Sequence, residues 1–509
     1  MIPRLINVAW AASMRGAEKR FRNALQRPAE TQRELLHSII SRNTGTAFGE
    51  DHCFDQINSV EDFQRQVPLG DYSDHDPYIT SIRHGEQRVL TADTVTHLIP
   101  TSGSSSARKL IPHTMDLQGQ FDAALGPWVR DMFRRFPGAG KGRAYWSVSP
   151  AIPNDEQSAV TIGFQDDTDY LSPIGRLLIR HIFAVPSDVR HITDTEKFWR
   201  STALQLLAVD DLSLISVWHP SYLNCLLDFI STHWDELLEE LPRSAVTRLA
   251  KTTPDAVHEI WPQLALVSVW ADASASLPFA RMQERMPRIE FQPKGLLATE
   301  GWTSIPYQGQ HPLAITSHFF EFIDAAGEPR LCDQLEQGQC YETVLTTAGG
   351  LYRYRTGDRV QVTGMLGATP KLKFVGRDSA TSDLCGEKLH ESHICECLLK
   401  VYKETDYYPV DQVLVPKDAN APTKYILLMC GPIPPPDAIE EQLEDALRAN
   451  PHYALARKLG QLDHVEVAWQ PNVFRKLSST TNSPIGSVKP SVLCFPEALP
   501  QLLAASSKQ

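Results

Sequence analysis

The segment Gly350-Leu351-Tyr352-Arg353-Tyr354-Arg355-Thr356-Gly357-Asp358, continued by Phe374-Val375-Gly376-Arg377-Asp378, constrains this chain more than any other stretch. It reads as two strands around a tight Thr-Gly-Asp turn, followed by a Gly-Arg hinge. Gly357 lets the backbone turn without a Cβ penalty. A short carboxylate fixed on such a turn can accept hydrogen bonds from both hydroxyls of a ribose, and charge-assisted bonds of that kind are short and strong. Taken alone, the same residues also fit an ordinary strand-turn-strand with an exposed Asp358.

The chain has 509 residues, too many for one core, so the length predicts roughly two to four domains. A net charge of −12 argues against a general nucleic-acid or membrane-surface binder, because both of those partners are polyanions. It leaves room for a local basic pocket. Nine cysteines, scattered from Cys53 to Cys494, do not form a disulfide framework and fit reduced thiols. The N-terminus carries Arg15, Lys19, Arg20 and Arg22 after its short apolar run, which is the wrong side for a signal peptide. No apolar run reaches the ~18 residues of a membrane span. A cytoplasmic protein is expected.

Residues 1 to about 47 read as helices, with Leu35, Leu36, Ile39 and Ile40 at helical spacing. Pro28 is expected to end an earlier helical stretch that holds Leu25. The acidic run Gly70–Asp76 closes a region of short helices and turns, and a strand over 95–100 precedes a serine-rich loop. An amphipathic helix is expected over 115–135, mostly helical structure over 198–290 and strands over 291–376. After Arg377 a helix beginning near Lys388, two strands (409–416 and 424–430) and a helix over 437–448 describe a small α+β unit. Glu440, Glu441 and Glu444 are assigned to the polar face of the last helix. The domains are therefore read as 1–376 and 377–509.

Three further constellations carry chemistry. The loop Thr101-Ser102-Gly103-Ser104-Ser105-Ser106-Ala107-Arg108-Lys109 surrounds one glycine with hydroxyls and ends on a lysine, a set of donors suited to phosphate oxygens. It is not a Walker A loop, because the Gly-Lys-Ser/Thr ending is absent. An apolar strand is read to end at Thr299-Glu300-Gly301, where Glu300 could hold a Mg²⁺ shared with phosphate. Lys489, between Gly486 and Pro490, could be delivered by a mobile domain to charge developing in a transition state. Each has a plain alternative: a flexible surface loop, an exposed turn glutamate, a solvated lysine. His390, His393, Cys395 and Cys397 suggest zinc only weakly, since structural zinc wants four closed ligands. Ordinary packing is the expectation there.

In this order the motifs resemble those of adenylate-forming ligases. More narrowly, the chain is similar to a bacterial member of the Gretchen Hagen three family of auxin-responsive acyl acid–amido synthetases. Ser41-Arg42-Asn43-Thr44-Gly45-Thr46, Pro77-Tyr78-Ile79, Lys109-Leu110-Ile111-Pro112, the doubled Tyr-Arg and Asn450-Pro451-His452-Tyr453 extend the likeness over nearly the whole chain. The resemblance implies an α/β fold, with a large N-terminal domain of mixed sheets, β-barrel and helices and a small mobile α+β C-terminal domain. It implies ATP and Mg²⁺, and as partners a carboxylic acid and an amine, read as that of an amino acid, with acyl-AMP as intermediate. Acyl transfer to coenzyme A or a carrier thiol is the alternative, and a catalytically silent nucleotide-binding protein the third reading.

By position, the resemblance assigns Ser102, Gly103 and Ser104 to the ATP phosphates, and Thr299 with Glu300 to the α-phosphate and metal. It assigns Asp358 to the ribose, and Arg377 and Lys388 to the phosphate once the small domain rotates. Lys489 would support adenylation, and Trp128, Arg130 and Tyr170 are the candidates for the acyl pocket. Ser106 and Ala107 stand where related loops carry a second glycine, and Leu297-Ala298-Thr299 replaces the family's Tyr-Ala-Ser-Ser wording.

Overall fold

The computed structural model describes residues 2–101, 109–147, 158–162, 182–192, 194–377, 381–417, 423–471 and 491–494. The expected residues Ser102, Gly103, Ser104, Tyr170 and Lys489 lie outside them. The chain begins with three helices, Ile2–Ser13, Arg15–Ala24 and Pro28–Arg42. Pro28 opens the third helix at its first turn, where a missing N–H costs nothing, so it does not terminate the second. The acidic run is likewise a helix start: Asp71 caps Tyr72–Arg83 in a reciprocal capping box with Asp74.

The helix Met115–Arg135 matches its expected range and forms the spine of the large unit. Leu117, Phe121, Ala124, Leu125, Trp128 and Met132 recur at helical spacing and are buried. Gly126 lets the helix Arg15–Ala24 approach closely: a Cβ there would stand 2.5 Å from Ala17 Cβ.

The region 198–290, expected to be mostly helical, also supplies the two central strands of a parallel sheet. Arg143–Trp146, Leu212–Ser216, Leu266–Val269 and Glu290–Pro293 run in that spatial order, all parallel. The two central strands are buried at every position. Strands covered on both faces lack the alternation that reveals a strand in sequence, which is why these were missed. Helices such as Thr195–Ala208 and Pro220–Thr232 cover the sheet through a core around Leu206, Leu223 and Val267.

The strand-rich region 291–376 builds a five-stranded antiparallel sheet from Phe319–Ile323, Pro329–Arg330, Cys340–Thr346, Tyr354–Leu366 and Thr369–Arg377. Single bridges from Pro312 to Lys371 and from Ser304 to Leu313 extend it. The C-terminal unit packs the helices Glu391–Thr405, Ala438–Leu447 and Pro451–Lys458 on a sheet of Asp411–Lys417, Lys424–Cys430 and Glu466–Gln470. Its own core runs from Leu389 to Leu493 and includes Leu277 of the large unit. Glu444 is not on a polar face: it is 2% exposed and binds Arg448, Arg457 and Tyr453. Among the described residues no helix is long and apolar enough to cross a membrane.

Candidate active site

The Thr-Gly-Asp segment is a bulge inside one continuous strand rather than a turn between two. Against the neighbouring strand, Glu342 pairs with Arg359 and Val344 with Arg355, so Thr356, Gly357 and Asp358 together oppose Thr343. Gly357 takes φ +73°, a left-handed conformation that glycine adopts without strain. Thr343 and Thr356 join through their hydroxyls at 2.6 Å, and the Thr356 hydroxyl accepts the Asp358 N–H at 3.1 Å. The bulge re-aims Asp358 toward its register partner Arg377, whose Nε donates to Asp358 Oδ1 at 2.6 Å. The Asp358 carboxylate raises the Arg377 pKa against the opposing effect of burial.

In the doubled Tyr-Arg the first half is structural, while in the second Tyr354 faces the site and the exposed Arg355 pairs with Glu342. Tyr352 is buried and donates to the Leu90 carbonyl at 2.7 Å. Arg353, held at φ +44°, forks onto Glu321 at 2.9 and 3.0 Å and also donates to the Gln64 and Val67 carbonyls. That ion pair ties the N-terminal helices to the antiparallel sheet. Tyr354 instead accepts from Lys109 Nζ at 3.3 Å, and its pKa is pushed up by burial and by the nearby Glu300 charge. Lys109 also lies 5.7 Å from the Tyr72 ring centre.

Glu300 sits on a tight reversal rather than at a strand tip. Leu297 bridges to Trp302, and the Ala298 N–H donates to the Gly301 carbonyl at 3.0 Å. Gly301 allows the close packing, since a Cβ would meet Leu345 at 2.9 Å and the His318 ring at 3.0 Å. The Glu300 pKa is raised by burial and then by the Asp358 charge, with Arg377 and Lys109 opposing the rise. Glu300, Asp358, Arg377, Lys109 and Tyr354 thus form one electrostatic cluster. No group of three or more acidic, His or Cys residues that could cage a metal occurs among the described residues. A magnesium ion needs only one or two carboxylates when phosphate and water complete its shell, and Glu300 fits that role.

The other expected residues divide. Trp128 is buried and donates its Nε1–H to Gln292 Oε1 at 2.8 Å, at the carboxyl end of the parallel sheet. Trp146 and Trp302 lie near it, with ring centres 6.4 and 6.0 Å away. Arg130 turns away from this aromatic group: its Nε pairs with Glu18 at 2.7 Å and its Nη1 with the Ala11 carbonyl at 2.7 Å. That geometry makes it a tie between helices rather than a carboxylate receptor. Lys388 is exposed at φ +45° on a loop of the small unit, beside Glu387, which accepts the Leu384 and Cys385 N–H groups at 2.8 Å. No described contact joins Lys388 to the Asp358 cluster. Among the histidines and cysteines near 390–397, the Cys397 thiol and the His393 ring approach at 3.5 Å and His390 bonds Thr381, in keeping with ordinary packing.

Sequence reasoning missed Lys294. It follows the strand Glu290–Pro293 and is 3% exposed. The only signal was one charged residue in the largely apolar run Phe291-Gln292-Pro293-Lys294-Gly295-Leu296-Leu297.

Comparison with known proteins identifies the family and the fold. The GH3 family N-terminal domain matches residues 17–260, and the GH3 family central domain matches residues 311–377. Indole-3-acetic acid-amido synthetase GH3.2 of Arabidopsis thaliana is 23% identical over 439 residues, 72% of this chain and 77% of that protein. Indole-3-acetic acid-amido synthetase GH3.17 of the same plant is 23% identical over 478 residues, 78% of this chain and 76% of that one. The solved structure of AtGH3.15 acyl acid amido synthetase in complex with 2,4-DB superposes with a TM-score of 0.83 at 17% identity, over 97% of this chain and 96% of its own. A 2-hydroxyisobutyryl-CoA ligase in the postadenylation state shares the fold at a TM-score of 0.56 and 13% identity, over 96% of this chain and 92% of that one. The chain belongs to the GH3 family.

Proposed function

We propose that this protein is an ATP-dependent acyl acid–amido synthetase. In the first step a carboxylate oxygen of the acid attacks the α-phosphorus of ATP, and pyrophosphate leaves. In the second, an amine, in our reading that of an amino acid, attacks the acyl carbonyl. AMP leaves, and the amine loses its proton. The observation that carries the reading is the Asp358–Arg377 pair at 2.6 Å, set in one electrostatic cluster with Glu300 and Lys109. It combines a ribose-binding carboxylate with cations for phosphate oxygens.

Asp358 accepts from the ribose hydroxyls while Arg377 fixes its orientation. Thr299 and Glu300 face the α-phosphate, and Ser102, Gly103 and Ser104 receive the remaining phosphates. Glu300 would hold a Mg²⁺ ion, whose charge would be supplied to the phosphate oxygens there. Lys489 supports adenylation, and Arg377 and Lys388 approach the phosphate as the small unit, residues 377–509, rotates on the Gly376-Arg377 hinge. Trp128 walls the acyl pocket, with Tyr170 expected beside it. Free thiols at all nine cysteines favour the reducing cytoplasm, and the net charge of −12 disfavours nucleic acid as a partner. The bacterial affiliation is carried by the sequence resemblance alone.

Acid-dependent exchange of labelled pyrophosphate into ATP tests the first step. Adding an amino-acid panel, with coenzyme A in parallel, tests the second. AMP, pyrophosphate and an amide are expected. ADP as product overturns the reading, a thioester redirects it to the thiol acceptor, and silence with every acid favours a non-catalytic nucleotide binder.

A further inference from the structure

Lys294 is a buried cation without a carboxylate. Its ammonium donates to Ser216 Oγ at 3.0 Å and lies 4.5 Å from the Trp218 ring centre and 5.7 Å from that of Trp128. Among the described residues Ser216 is its only hydrogen-bond acceptor and no acidic side chain pairs with it. An ammonium has three N–H donors, and indole faces compensate a desolvated charge only partly. Burial alone pushes its pKa down to about 7. A buried group of this kind is costly unless something pairs with it, and a Met of similar length would fill the space more cheaply.

Its position is as telling as its charge. Ser216, Ser268 and Gln292 lie on one rung across three parallel strands, and Trp146 pairs with Ser216 on the fourth. Lys294 follows that rung at the carboxyl end of the sheet, where α/β folds bind ligands. Trp128 touches both the rung, through Gln292, and the lysine.

We propose that Lys294 is an anion-binding residue of the acyl pocket, and that the preferred acid carries a second carboxylate, or an equivalent anionic group, which pairs with it. The inference rests on the adenylating reading above. The reacting carboxylate turns toward the Glu300 side, and the second takes the ammonium protons that Ser216 leaves unused.

The test compares matched acids, hexanoate with adipate and benzoate with terephthalate, in pyrophosphate exchange without amine, for the native enzyme, Lys294→Met and Ser216→Ala. The diacids are expected to be preferred by the native enzyme. Lys294→Met should lower kcat/KM for them on the order of 30-fold, mainly through KM, and leave the monoacids within about twofold. Ser216→Ala, which keeps the charge, should retain the preference. Thermal shifts with each acid in the absence of ATP provide a readout that needs no catalysis: adipate or terephthalate should stabilise the native protein and not Lys294→Met. Equal treatment of monoacids and diacids by both proteins overturns the inference while exchange itself upholds the ligase. An effect of Lys294→Met confined to the KM of the amino acid also overturns it. Exchange silent with every acid refutes the ligase reading, and the thermal shifts then still decide whether Lys294 binds a second carboxylate.

Discussion

On one side of the site Asp358 meets Arg377 at 2.6 Å, and behind it Arg353 forks onto Glu321. On the other, Lys294 meets a serine hydroxyl and two indole faces. The first side spends its opposite charges on each other and so holds a shape without ligand. The second keeps one charge in reserve. Glu300 is the counterpart of Lys294 on the Asp358 side: a half-buried carboxyl, its pKa raised by burial, with no hydrogen bond to another side chain among the described residues. On these two sides paired charges set geometry, and Glu300 and Lys294, opposite in sign, point to ligands of opposite sign.

The largest expected effect breaks a pair. Asp358→Ala removes the ribose acceptor and leaves Arg377, whose side chain is 49% exposed, without its partner. Losing a buried charged hydrogen-bonding group of this kind costs about 2–5 kcal/mol of binding. Pyrophosphate exchange should fall roughly 30-fold to several thousand-fold, with the KM for ATP rising. Retained exchange would refute the nucleotide assignment. Glu300→Gln is the next in size. It keeps the shape and removes the charge, so the Mg²⁺ concentration for half-maximal exchange should rise roughly 10- to 100-fold. An unchanged Mg²⁺ requirement would move the metal elsewhere.

Lys294→Met probes the charge held in reserve through stability. Its folded pKa, about 7, is depressed below the ordinary lysine value of 10.5, so between those values the unfolded chain binds more protons than the folded one. The stability that this lysine subtracts at pH 7 is therefore recovered as pH rises toward 10. In denaturant titrations Lys294→Met should be the more stable protein at pH 7. The gap should close with a slope of up to about 1.4 kcal/mol per pH unit. The groups facing Lys294 are Ser216, Trp218 and Trp128, none of which titrates in that window. A gap independent of pH would mean that the ammonium is already compensated.

What was legible beforehand follows the same division. The Asp358 side is written in short contiguous motifs whose order along the chain is informative, so Asp358, Arg377 and Glu300 could be singled out. Their local geometry could not, because a bulge and a turn both need a glycine at positive φ and only the partner strand distinguishes them. The helix Met115–Arg135 was readable from its apolar spacing. The parallel strands were not, since burial on both faces erases alternation. Lys294 stayed hidden for a related reason: its neighbours Ser216, Trp218 and Trp128 come from distant segments that only the parallel sheet assembles. Arg130 failed in the opposite direction. An arginine two residues from Trp128 looked like a pocket residue, yet on a helix such neighbours do not share a face.

Arg130 provides the smallest and most discriminating measurement. It shares Glu18 with Arg134, whose distance to the carboxylate is 3.0 Å against 2.7 Å for Arg130. Burial raises the Glu18 pKa, and the two guanidiniums more than offset the rise. Arg130→Ala leaves Arg134 on Glu18, so the carboxylate is not stranded, and the Arg130 side chain is itself 26% exposed. A partly exposed pair of this kind contributes on the order of 1 kcal/mol or less. The melting temperature should therefore drop by about 2–4 °C at most. The KM for any acid that the native enzyme accepts should stay within about twofold, because the residue faces the N-terminal helices and not the indoles around Lys294. A tenfold rise in acid KM without loss of stability would place Arg130 in the pocket after all. The acyl side would then hold two cations, and the contrast between a side of matched charges and a side with a single reserved one would give way to one strongly basic acyl pocket.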